Sequence, residues 1–228
     1  MNDSRRERFD EPACKAAPGR GHTGWQGIRA TAGADVKELV IDETSHDALE
    51  PRIGGGALIG GVESWPTSSS GEALHLIASL PAAFLRIAGC GYEYMSVFSL
   101  YSASEYFLDR VTYHGDPDEM EIITRDRTTR VIFHARGTEM FGTHVIPART
   151  LRVRDEVAHP FHGSGIGGHP GLLQDENLSL PQDFEFAIQL YSGDFPDGWT
   201  DIFGLSDALG YLFVATKSGK GLFFVQVT

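Results

Sequence analysis

From Asp183 to Tyr191 the chain alternates without a fault: Phe184, Phe186, Ile188 and Leu190 are apolar, while Asp183, Glu185, Ala187 and Gln189 between them are polar or small. Side chains of a strand point to opposite faces with period two, so this run predicts a strand with one core face and one polar face. Two further β-rich runs, Tyr211 to Thr216 and Leu222 to Thr228, flank Lys217-Ser218-Gly219-Lys220-Gly221, whose glycines allow positive φ. They predict a C-terminal hairpin. Leu74 to Ser79, Met95 to Tyr101, Glu121 to Thr124 and Val131 to Ala135 read as additional strands. Helical signals are short: Pro81 as a first-turn residue ahead of Ala82 to Ala88, and Ser102 to Asp109 with Ser102 and Glu105 as a capping box. The pattern predicts an α+β fold of mostly antiparallel sheet with short helices.

Hydrophobic residues make up 41% of the 228 and charged residues 22%, which places the chain among folded proteins of one or two domains. Residues 1–34 are rich in Arg, Gly, Ala and Pro, show neither period, and read as a disordered tail ahead of a domain over 35–228. Six basic and four acidic residues lie in that tail, leaving 13 basic and 27 acidic after it, a net charge of −14 on the expected domain. Such a field argues against nucleic acid as a partner and favours basic proteins. The longest apolar stretch, Ala73 to Ala88, contains His75, Ser79, Pro81 and Arg86 and falls short of a membrane span. No apolar run of signal-peptide length follows the first residues, and Cys14 and Cys90 form no framework, so a reducing cytoplasm is expected.

Gly163, Gly165 and Gly168 match the dinucleotide pattern G-x-G-x-x-G, but His159-Pro160-Phe161-His162 precede it and Pro170-Gly171 follow. A phosphate-binding glycine loop needs a strand before and a helix after, so the stretch reads as a turn-rich connector. His159, His162 and His169, near Asp155, Glu156, Asp175 and Glu176, supply metal-ligand chemistry without metal-site spacing. They read as surface or hydrogen-bonding histidines, and a metal-dependent hydrolase built on them is the opposing hypothesis. His75 and His134 read as strand side chains that find a partner, not as catalytic bases. Asp116, Asp118, Glu119 and Glu121 read as a solvated turn. There is no Gly-x-Ser-x-Gly elbow and no local signature around Cys90, so no catalytic residue, cofactor or metal is assigned.

Trp65, held extended by Pro66 before a Ser-rich loop, either anchors the core or lines a groove. Tyr191, Phe195 and Trp199 surround a Gly-, Pro- and Asp-rich loop, where aromatic residues are suited to recognition. There is also an internal echo. Ile53-Gly54-Gly55 recurs as Ile166-Gly167-Gly168 at an offset of 113, and the strands about twenty residues later, Leu74 to Leu80 and Phe184 to Leu190, are offset by 110. This predicts a duplicated unit covering about 50–110 and 163–228.

The order Ile53-Gly54-Gly55, Trp65-Pro66, Gly71, Ile166-Gly167-Gly168-His169-Pro170, Gln174, Gln189-Leu190, Gly210-Tyr211-Leu212-Phe213, Phe223-Phe224 and Gln226 resembles the YwqG-like family of bacterial proteins, a domain of unknown function. The resemblance spans about 50–228. It implies an α+β fold with two similar halves, related to the programmed cell death protein 2 group, whose members look like dedicated chaperones of ribosomal proteins. Some YwqG-like proteins resemble immunity proteins that act beside toxins. The family's first half usually carries Gln where this chain has Ser79, matching Gln189 in the second. The resulting expectation is a cytoplasmic, non-enzymatic, chaperone-like module that binds a basic protein or peptide in a groove between its halves. Trp65, Tyr191 and Trp199 are the expected anchors and Gln174 and Gln189 the polar clamps; neutralising a toxin is the alternative binding role.

Overall fold

In the computed structural model, which describes residues 25–27, 36–85, 91–159, 162–173, 178–181, 183–215 and 217–228, thirteen strands run in chain order. They are β1 (Trp25–Gly27), β2 (Lys37–Thr44), β3 (Arg52–Ile53), β4 (Ala57–Gly60), β5 (His75–Pro81), β6 (Tyr94–Ser99), β7 (Thr129–Met140), β8 (Arg149–Val157), β9 (Gly165–Ile166), β10 (Ser179–Pro181), β11 (Glu185–Tyr191), β12 (Leu209–Ala215) and β13 (Lys220–Gln226). Eleven of them form one antiparallel sheet in the order β13-β12-β11-β9-β2-β8-β3-β5-β6-β7-β4, and β1 pairs with β10. The described residues are therefore mostly antiparallel sheet, with one α-helix among them, α1 (Pro117–Asp126). β1 falls inside the segment read as a tail.

From the central β2–β8 pair the sheet order runs β9, β11, β12, β13 one way and β3, β5, β6, β7, β4 the other. Ile53 faces Ala78 and Ile166 faces Ile188; Arg52 faces Ser79 and Gly165 faces Gln189. In each case two glycines with positive φ follow, Gly54 and Gly55 on one side, Gly167 and Gly168 on the other. The Gly54 N–H donates to the Ile77 carbonyl (3.1 Å) and the Gly167 N–H to the Ala187 carbonyl (3.0 Å). Ile77 and Ala187 are themselves the extra residues of β-bulges, in β5 against β6 and in β11 against β12.

The bulge at Ala187 corrects the reading of the alternating run. One inserted residue reverses which face the following side chains occupy. Phe184 and Phe186 pack on the smaller apolar cluster formed by Tyr113, Met120, Ile123, Tyr211, Phe213 and Phe224. Ile188 and Leu190, beyond the bulge, enter the main core. Both faces of β11 are covered, and Ala187 and Gln189, expected on a polar face, are buried. The main core is continuous across the two arms: Ile53, Leu80, Val97 and Phe98 share it with Ile188, Leu190, Phe203 and Phe223.

The C-terminal hairpin forms as expected, with Ala215 opposite Lys220. Its two faces serve the two clusters: Leu212, Val214, Phe223 and Val225 point into the main core, while Leu209, Tyr211, Phe213 and Phe224 point into the smaller one. The outer edge of β13 is covered, because the Val225 N–H donates to Val111 O (2.9 Å) and the Tyr113 N–H to Val225 O (3.1 Å).

Glu121 to Thr124, expected as a strand, lies in α1, and the acidic run is that helix's start and not a solvated turn. Asp116 is the N-cap, its Oδ1 accepting from the Asp118 N–H (2.9 Å), Pro117 occupies the first turn, and Arg127 ends the helix at φ 52°. Met120 and Ile123, three residues apart, bury one face. In the other expected helices, Ala82 to Leu85 form turns, with 86–88 outside the described residues, and 102–110 yields only a 3₁₀ turn at Leu108–Arg110. Ser102 does cap locally, its Oγ accepting from the Ser104 (3.3 Å) and Glu105 (3.0 Å) N–H groups, but Phe107 turns into the core before a helix can extend.

Candidate functional site: an aromatic cluster at the loop end

His75 opens β5 and lies 8% exposed, among Tyr101, His144 and Trp199. Tyr101 follows β6 and Trp199 lies in the loop between β11 and β12, so the cluster joins the two arms of the sheet. Ring centroids lie 5.4 Å apart for His75–Tyr101, 5.7 Å for His75–Trp199 and 5.6 Å for Tyr101–Trp199. His144 stacks on His75 at 6.0 Å with an 11° interplanar angle. The His144 loop also exposes Phe141 and Val145.

The polar groups of this cluster are distinctive. The Tyr101 hydroxyl donates to Asp201 Oδ1 (3.0 Å), and burial with that carboxylate raises the phenol pKa. His75 Nδ1 is buried without a hydrogen-bond partner. Burial, reinforced by His144, holds the imidazole pKa down to about 4, so His75 is neutral near pH 7. A neutral imidazole, a carboxylate-bound phenol and an indole can recognise a side chain by stacking and hydrogen bonding.

The expected site residues occupy different settings. Trp65 is partly buried, donates Nε1–H to Leu74 O (2.6 Å), and meets Phe98 edge-on at 5.4 Å, which makes it a core anchor. Gln189 is fully buried: Oε1 accepts from the Gly171 N–H (2.9 Å) and Nε2 donates to Gly163 O (2.8 Å), so its amide holds the 163–171 loop and is closed to a ligand. Gln174 lies outside the described residues. Tyr191 is half-buried, its ring over Gly193 and edge-on to His162 at 6.3 Å. Of the four that are described, Trp199 enters the cluster around His75.

His159 and His162 stack at 4.8 Å, yet among the described residues no three His, Cys, Asp or Glu side chains converge as a metal site. Asp175 and Glu176 lie outside the described residues, as do Cys14 and Cys90. His134 is a satisfied strand histidine, Nε2 to Ser96 Oγ (2.8 Å) and Nδ1 to Ala135 O (2.8 Å). The Gly163–Gly168 stretch leads through β9 into a turn, and the described residues 169–173 after it form no helix, as expected of a connector.

An open cleft of about 590 Å³ lies against Ser69, Ser70, Glu72, Arg110 and Asp126. Its charges satisfy one another. Arg110 donates to both Glu72 oxygens (2.9 and 2.6 Å) and Ser70 to Glu72 Oε2 (2.5 Å). Those bonds, Arg110 first, pull the Glu72 carboxyl pKa down to about 2. The cleft therefore fixes the Ser-rich loop.

Sequence reasoning missed the cluster as a whole because His75, Tyr101, His144 and Trp199 come from four separate segments. The available signal was an aromatic or imidazole ring in each of the segments around β5, β6 and the 192–208 loop. No family model and no curated protein matches the chain.

Proposed function

We propose that this chain is a non-enzymatic, cytoplasmic protein- or peptide-binding module, chaperone-like and selective for basic partners, related to the YwqG-like proteins. The observation that carries the reading is the His75–Tyr101–Trp199 cluster, with Phe141 and Val145 exposed beside its His144 wall. Aromatic residues at the centre of a patch with a polar rim are the usual energetic anchors of an interface. The net charge of −14 over 35–228 supplies long-range attraction for a basic partner. The binding surface in this proposal is the loop end of the sheet, since a shared core fills the space between the two arms.

The domain is further proposed to be a duplication. Matching registers, matching bulges at Ile77 and Ala187, and paired positive-φ glycines support it. Among the described residues no helix is long and apolar enough to cross a membrane.

Affinity purification of the full chain from its native host at low salt tests the function. A basic protein is expected to co-purify with the wild type and to be lost from Trp199→Ala. Recovery of no protein partner at low salt would overturn the reading. Neutralisation of a toxin is a narrower form of the same proposal, distinguished by growth rescue when the chain is co-expressed with a toxic neighbour.

A further inference from the structure

Two of the segments that build the cluster, those of Tyr101 and Trp199, are strongly acidic. Residues 101–110 contribute Glu105 and Asp109, residues 191–208 contribute Asp194, Asp197, Asp201 and Asp207, and the one base among them is Arg110. Arg110 is held by Glu72 through two hydrogen bonds, so its charge is already answered. Of these carboxylates Asp201 is the one bonded within the cluster, while Asp109 accepts from Tyr106, Asp194 from Ser164 and Asp207 from Thr228. The Tyr101 and Trp199 rings are tilted 44° to one another, and Asp201 accepts the Tyr101 hydroxyl through Oδ1.

This arrangement has the parts of a guanidinium subsite. An indole and a phenol present negatively polarised faces, and a carboxylate is bonded at the hydroxyl of the phenol. Arginine fits this combination better than lysine, because its planar, weakly hydrated head stacks on a ring while its N–H fork reaches an adjacent oxygen. The floor of the cluster adds an independent sign. His75 Nδ1 is a buried polar atom lacking a partner, and such an atom costs stability unless a donor or acceptor is brought to it. His75 is in ring contact with both Tyr101 and Trp199, so this nitrogen belongs to the same cluster.

Resting on the binding role proposed above, we infer that the surface of Tyr101 and Trp199, with Asp201 at its edge and His75 beneath, is a subsite for an arginine side chain of the partner.

Calorimetric titration of the full chain with an Arg-Gly-Arg-Gly-Arg peptide, its citrulline counterpart and its lysine counterpart tests this. Citrulline keeps the shape of arginine and removes its charge. The arginine peptide is expected to bind at least about ten-fold more tightly than the citrulline peptide and more tightly than the lysine peptide, and to weaken as salt rises from about 50 to about 300 mM. Trp199→Ala is expected to abolish that preference and Asp201→Asn to reduce it, with circular dichroism confirming that both variants remain folded. His75→Phe, which fills the same space, is expected to weaken the arginine peptide while leaving the fold intact. Equal binding of arginine and citrulline peptides, absence of saturable binding by the arginine peptide, or full binding by a folded Trp199→Ala protein would each overturn the subsite. Lysine binding as tightly as arginine would overturn the assignment to arginine. If a partner still co-purifies from the host in any of these cases, the broader binding role stands without this subsite.

Discussion

Truncating Gln189 to alanine separates two accounts of the same residue. As a polar clamp for a ligand, Gln189 would be dispensable for stability. In the structure its amide instead joins β11 to the loop beneath it, through Gly171 N–H at 2.9 Å and Gly163 O at 2.8 Å, with no exposure to solvent. The alanine variant loses both bonds and leaves a buried donor at Gly171 and a half-buried acceptor at Gly163 without that partner. At about 1–3 kcal/mol for the stranded Gly171 N–H and less for the half-buried Gly163 carbonyl, the expected destabilisation is about 1–4 kcal/mol, a large share of the roughly 5–15 kcal/mol that holds a domain together. Tyr211 adds coupling, since its hydroxyl donates to Gly171 O (2.6 Å) and loosening the loop weakens that bond as well. Urea unfolding followed by circular dichroism reads the change, with an unaltered denaturant slope as the check that the transition is still two-state. Gln189→Met keeps most of the volume without either bond, so its loss measures the hydrogen bonds apart from the cavity. If both variants stayed within about 1 kcal/mol of the wild type, the structural role assigned to Gln189 would be refuted.

Two pH dependences follow from the shifted groups. Glu72 has a folded pKa of about 2 against an ordinary value of 4.5, so its pairing with Arg110 stabilises the fold above pH 4.5 and is lost as pH falls toward 2. The urea midpoint of Arg110→Ala should therefore decline less over this range than that of the wild type, and parallel curves would refute the assignment. His75 works in the opposite chemical sense. Its folded pKa of about 4 lies below the ordinary 6.5, so the unfolded chain takes up the proton first and stability falls as pH drops from 6.5 to about 4. His75→Phe should flatten that limb of the midpoint-versus-pH curve, and an unchanged limb would show that another group causes it.

The strands that bury apolar side chains were legible in the sequence, and those laced by charge were not. Leu74 to Ser79, Met95 to Tyr101, Val131 to Ala135 and both strands of the C-terminal hairpin all occur close to their expected places. β2 and β8 gave no such signal. Beyond Leu151 the side chains of β8 are exposed, and its partners across the ladder include ion pairs, Lys37 with Asp155 (2.5 Å), Arg152 with Glu43 (3.1 Å) and Arg154 with Glu38 (3.5 Å). A strand whose two faces both meet water has no apolar alternation to read. α1 was misread because Ile122 and Ile123 suggested a β run, while the Asp116 cap and the Met120–Ile123 spacing carried the helical information. Among the site residues, Trp199 was visible as a loop aromatic; its neighbours were not, because only the antiparallel pairing of β5 with β6 brings His75 and Tyr101 to one end of the sheet.

The difference between Ser79 and Gln189, which occupy matching places in the proposed duplication, has a cause that only the register supplies. Arg52 stands opposite Ser79, and Gly165 stands opposite Gln189. Directly opposed residues of an antiparallel pair project to the same side and compete for the same space. One pair places its long polar side chain on the short strand beside the glycine turn, the other places it on the longer strand, and each opposes it with a small residue. The chemistry is also shared: Arg52 Nη2 donates to Gly56 O (2.6 Å), as Gln189 Nε2 donates to Gly163 O, so in each arm the long side chain holds a carbonyl of the loop around its glycine turn. A glutamine at position 79 would meet Arg52 in a space already filled, and close-packed interiors resist that. The exchange has an electrostatic consequence. Gln189 is neutral, but a nearly buried guanidinium needs a counter-charge, and Glu139 on β7 provides it. That ion pair ties β3 to the far end of β7, a connection the Gln189 arm does not need. Within the proposed duplication, the holding role therefore falls to the longer strand, β11, in one arm and to the short strand, β3, in the other.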